Sequence, residues 1–128
     1  MTLTKSLIKA DIIAAKQAID YYDENGVKDI KNVAAYHLQQ ASEKLIKYQI
    51  YESGVSVSNS QIYTHNIERL IVYGDSFGIP FDVPQYIREK SLTITDWEAG
   101  SRYDVSFSIR IDVLKKAYSV ILEWFNRL

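Results

Sequence analysis

The 128-residue chain has no cysteine. That excludes a disulfide framework, a thiolate metal site and a cysteine nucleophile. It has only two histidines, His37 and His65, and neither stands in a His-x-x-x-His or Glu-x-x-His pattern, so no metal site is expected. Gly-x-Gly-x-x-Gly and P-loop patterns are missing too, which excludes the usual mononucleotide fold and leaves no cofactor expected. Charge of one sign is lacking: 15 basic and 16 acidic residues give a net charge of −1, against a broad electrostatic surface for nucleic acid. No window approaches the roughly 18 apolar residues of a membrane span. The first eight residues lack the apolar core and small-residue cleavage site of a signal peptide, so a cytoplasmic location is expected.

What is present is ordinary in amount and helical in pattern. The chain is 47% hydrophobic and 24% charged, enough to bury one core in one domain. Ile8, Ile12, Ala15, Ile19 and Tyr22 recur every three to four residues and predict a helix over Thr4 to Asp23, stopped by Asn25-Gly26. A second helix is expected over Asp29 to Glu52. Ser53 to Ser60 reads as a loop. Thr64 is the expected N-cap of a third helix carrying Ile67, Leu70 and Ile71 and fading at Gly74 or Gly78. Asp82 or Val83 should cap the next, with Pro84 in its first turn and a break near Ser91. Gly100 to Ser108 reads as a linker. The last helix, Ser108 to Arg127, has a wide apolar stripe that includes Leu114, Ile121 and Trp124. The expected fold is all-α, an antiparallel up-and-down bundle of four long helices plus a short fifth.

The second helix carries the candidate chemistry. Ile30, Val33, Ala34, His37, Ala41, Leu45 and Tyr48 share one face at the helical period, and Lys31, Asn32, Gln39, Ser42, Glu43 and Lys47 fall largely opposite. His37, Gln40 and Lys44 run along the apolar face or its edge, spaced so that they are neighbours on the helix surface. Such a ridge needs partners, because an unsatisfied buried polar group costs about 1–3 kcal/mol. Lys44 and Arg102 are the cations to place near a phosphate, one a point charge and the other a planar two-pronged donor. His65, after the expected cap Thr64, would lie where first-turn amides can bind an anion. Asp20, Asp23, Glu24 and Asp29 read as a solvated acidic corner.

The string Ala35-Tyr36-His37-Leu38-Gln39-Gln40-Ala41, followed by Glu43-Lys44, resembles the second-helix motif of the HEPN domain family. Thr64-His65 is similar to the Thr-His pair that often opens the next helix of that family. Gly100-Ser101-Arg102-Tyr103-Asp104 keeps the Arg-Tyr of its Ala-Arg-Tyr-Pro motif without the alanine and the proline. The resemblance spans about residues 4 to 127.

It implies a helical bundle, usually a homodimer, associated with a small nucleotidyltransferase. The ligand-binding residues expected are His37, Gln40, Lys44, His65, Arg102 and Tyr103. HEPN ribonucleases carry an arginine followed four to six residues later by a histidine near the start of the last helix. Here no histidine follows Arg102 or Arg110, and that general acid or base is missing. The favoured expectation is a non-catalytic module binding a nucleotide or phosphate ligand, in a toxin–antitoxin-type pair with a nucleotidyltransferase. The alternatives are a metal-independent ribonuclease toxin acting on RNA and a structural dimerisation adaptor. Ten tyrosines against four phenylalanines suit half-wet interfaces and agree with a homodimer.

Overall fold

The computed structural model describes residues 3–103 and 108–128, with side chains described for all of these but 101–103. Among the described residues there are seven helices: α1 (Lys5–Asn25), α2 (Ile30–Glu52), α3 (Asn59–Ile62), α4 (Ile67–Asp75), α5 (Gln85–Glu89), α6 (Ser91–Tyr103) and α7 (Ile111–Arg127). The class is all-α, as the periodicity implies. The expected break near Ser91 separates α5 from α6, and the helix count is higher than expected because α3 adds a single turn after the serine-rich loop. No helix of the described residues is long and apolar enough to cross a membrane.

The first helix forms where its pattern places it. Thr4 accepts a hydrogen bond from the Leu7 amide at its N-terminus, and Gly26 closes it at φ 67°, a conformation that costs glycine little. The short link folds the chain back, and α2 packs antiparallel along α1. The last helix also runs antiparallel to α1. Lys115 meets Asp23 at 2.8 Å near one end, and the Lys5 ammonium reaches the Leu128 carbonyl at the other.

α2 is the axis of the molecule. It packs against α1, α4, α6 and α7, and from residue 34 to residue 50 not one position is exposed. This corrects the two-sided reading of that helix. Gln39, Ser42, Glu43 and Lys47, expected on the outer side, are buried. Val33, expected inside, is exposed. A helix wrapped on several sides has no solvent face, and polar side chains are tolerated there only when bonded to one another. Among the described residues they are: no buried side-chain nitrogen or oxygen lacks a partner.

Three further boundaries differ from expectation. Asn66, not Thr64, caps α4, its side chain accepting from the Arg69 amide at 3.0 Å. Asparagine outranks threonine at this position. Residues 100–103 continue α6 instead of opening a linker. Asp82 caps nothing. Its carbonyl accepts from the Gln49 amide group at 2.8 Å and from the Trp124 indole at 2.7 Å, and its carboxylate takes Arg127 at 2.9 and 3.1 Å. This loop residue is a staple between α2 and α7. Nearby, a Cβ at Gly74 would overlap the Phe81 ring, so α4 approaches the same loop only as glycine allows.

Candidate functional site

Two buried carboxylates organise the polar groups of α2. The first is Asp11 of α1, three residues after Ile8 and four before Ala15, and so on the buried face of its helix. Its Oδ1 lies 2.8 Å from Nδ1 of His37, and its Oδ2 accepts from Nζ of Lys44 at 2.6 Å. Burial pushes the Asp11 carboxyl up, but the hydrogen bonds and charges of His37 and Lys44 outweigh it and hold the group below its ordinary value. Gln40 donates to Oε1 of Gln39 at 2.7 Å. The expected ridge is therefore real as a row of neighbours, but its protons are taken. The side chains of His37 and Lys44 converge on one carboxylate of the neighbouring helix.

The second carboxylate is Glu43, one turn before Lys47 on α2. It accepts from Nζ of Lys47 at 3.0 Å and from the Gln39 amide at 3.3 Å, and it lies 2.8 Å from Nδ1 of His65. Gln39 also donates to the His65 carbonyl at 3.1 Å. The turn that carries Thr64 and His65 is thus sewn to α2 by both backbone and side chain. Thr64 accepts from the Asn66 amide at 3.1 Å, tightening the turn. The His65 side chain remains 63% exposed, whereas that of His37 is 28% exposed.

That exposure opens onto a cavity of about 960 Å³. The turn 64–66 forms one wall, residues 93–100 of α6 another, and residues 108–110 with Val113 of α7 the third. The polar side chains there include His65, Asn66, Thr95, Asp96, Glu98 and Arg110. Thr95 is already committed, donating to the Ser91 carbonyl at 2.7 Å and accepting from the Ile67 amide at 2.9 Å. Arg110 faces Asp112 at 2.7 and 3.1 Å. Among the described residues no three metal-ligating side chains gather into one group.

Of the six residues singled out from sequence, the structure brings His37 and Lys44 together on Asp11, and links Gln40 to His65 through Gln39. Arg102 and Tyr103 fall in the last turn of α6, and their side chains lie outside the described residues. Sequence reasoning missed Asp11 and Glu43. The position of Asp11 among Ile8, Ile12 and Ala15 was a readable sign of burial. For Glu43 the sign was its four-residue spacing from both Gln39 and Lys47.

A family model for the HEPN domain matches residues 11–127. The chain belongs to the HEPN family. Comparison with curated proteins and with solved structures returned no match. In this HEPN domain the span matched begins at Asp11 and takes in α2, the Thr64-His65 turn and the Arg102-Tyr103 step, the three points on which the resemblance was drawn.

Proposed function

We propose that this HEPN domain is a non-catalytic module that binds a nucleotide or similar phosphate-bearing ligand in the cavity beside His65. One observation carries the reading: the buried Glu43 carboxylate holds an otherwise exposed imidazole at the wall of a cavity of about 960 Å³, large enough for a ligand of that size. Arg110 and the Arg102 position are the cations assigned to the phosphates, Arg102 because it follows Gly100 on the helix that lines the cavity. Tyr103 stays with Arg102 in this assignment. His37 and Lys44 take a supporting role and fix α2 against α1 through Asp11, while Gln40 steadies Gln39, which holds the His65 carbonyl.

As the family implies, the working partner in this proposal is a small nucleotidyltransferase, the two forming a toxin–antitoxin-type pair. The homodimer is part of the proposal as well. It is supported by a groove of about 300 Å³ between α1 and α7, lined in part by Ile12, Ile13, Tyr118, Leu122 and Phe125.

Calorimetric titration with ATP tests the ligand reading. The wild type is expected to bind with a dissociation constant of about 10 μM, about 7 kcal/mol. Arg102→Ala is expected to weaken binding at least about tenfold. Lys44→Ala should leave it within about twofold, since Asp11 already holds that ammonium. No binding by the wild type rules the reading out.

The same dyad favours one second reading. An imidazole oriented by a carboxylate is the arrangement a general base needs, so a metal-independent ribonuclease is tested alongside. RNA cleavage by the wild type without metal, abolished in His65→Ala, would establish it. An inactive wild type would exclude it.

A further inference from the structure

Resting on the nucleotide reading above, one feature of the cavity narrows the class of nucleotide. An ionised carboxylate only accepts hydrogen bonds, so the 2.8 Å contact with Glu43 puts a proton on Nδ1 of His65. In the neutral ring Nε2 is then a bare acceptor. Lys47 donates to the other oxygen of Glu43 at 3.0 Å, so both carboxylate oxygens are occupied and the ring's outer nitrogen is the one left to the cavity. Asp96, exposed on the same cavity, finds no hydrogen-bond or ion-pair partner among the described residues. These two lining side chains offer acceptors, and a ligand must bring donors to them.

Phosphate groups bring only acceptors and are suited to Arg110 of the α7 wall. A nucleotide's donors are its ribose hydroxyls and, for some bases, an amino group. Carboxylates are recurrent partners of the ribose 2′-hydroxyl, and hydroxyls are present whatever the base. We infer that the cavity selects ribonucleotides over deoxyribonucleotides, through a ribose hydroxyl that donates to Nε2 of His65, with Asp96 of the α6 wall as a second acceptor. His65 is thereby a specificity-determining residue.

Calorimetry with ATP, UTP and 2′-deoxy-ATP on the wild type and on His65→Phe tests this. Phenylalanine keeps a planar ring at an exposed position and removes the acceptor, and a thermal melt checks that the variant is folded. The wild type should bind ATP and UTP within about threefold of each other and 2′-deoxy-ATP about tenfold more weakly. In His65→Phe the affinities for ATP and 2′-deoxy-ATP should become equal within about twofold, the loss from wild type being larger for ATP. Equal binding of ATP and 2′-deoxy-ATP by the wild type overturns the inference while leaving the nucleotide reading intact. So does a sugar preference that survives in His65→Phe, or a preference that follows the base instead. Binding of none of the three nucleotides overturns the nucleotide reading itself, and this inference with it.

Discussion

The Asp11 and Glu43 clusters are made of the same three groups. In each, one buried carboxylate meets the Nδ1 of a histidine at 2.8 Å and a lysine ammonium, at 2.6 Å for Asp11 and 3.0 Å for Glu43. What separates them is where water reaches. At Asp11 the imidazole and the ammonium are both about a quarter exposed, and the carboxylate joins two helices along their packed length. At Glu43 the ammonium is almost wholly buried and the imidazole is mostly outside. The first arrangement spends its hydrogen bonds on cohesion. In the second, Lys47 keeps the carboxylate balanced from within, and the imidazole retains a nitrogen for something else. Identical chemistry yields a clasp in one place and a presented group in the other, and burial decides which.

If burial decides, the two clusters should break differently. Glu43→Ala should give the largest loss, about 3–5 kcal/mol in urea unfolding, because it strands the nearly inaccessible Lys47 ammonium. Asp11→Ala should cost less, about 2–3 kcal/mol, since Lys44 and His37 can still turn partly to water. The reverse order would mean that joining two helices matters more than burying a charge.

The Asp11 clasp also has a pH signature. A carboxyl held below its ordinary value stabilises the fold above the unfolded-state value of about 3.9, and that contribution is lost as pH falls through the lower folded value. Stability measured downward from about pH 4 should therefore fall more steeply in the wild type than in Asp11→Ala. Parallel curves would show that the clasp is not the group being titrated. The histidine replacements should have the smallest effects. His37→Leu is expected to stay within about 1 kcal/mol of wild type, as Lys44 still serves Asp11. His65→Ala should lose under about 0.5 kcal/mol, as an exposed partner contributes little. A large loss there would make His65 a second clasp and erase the contrast.

The fold was legible where one-sided burial governs. The Ile8-to-Tyr22 and Leu114-to-Trp124 stripes mark α1 and α7 because each helix has a core side and a wet side. It was less legible in α2, whose polar residues look like a solvent face to any periodicity argument. Ser42 closes on the Leu38 carbonyl, and Gln39, Glu43 and Lys47 close on one another, so the chain sinks them without penalty. Within the candidate site, His37, Lys44 and His65 stood out as isolated polar residues in apolar or helix-opening surroundings. Their carboxylates did not. Glu43 and His65 are 22 positions apart, and no spacing rule links a helix interior to the turn ahead of another helix. The role of Asp82 was hidden for a similar reason: its backbone carbonyl, not its side chain, receives Gln49 and Trp124, and a carbonyl carries no sequence signature.

A central rod touched by four neighbours restricts how such a domain can drift. A helix with one packed side can change its other side freely, and a peripheral helix can slide or rotate and repack against a single partner. α2 has no spare side. Any shift that suits α1 must also suit α6 and α7, so compensating changes have to arise in several helices together. Novelty in this architecture is confined to the surfaces that α2 does not touch, the rim of the cavity and the outer faces of α1 and α7.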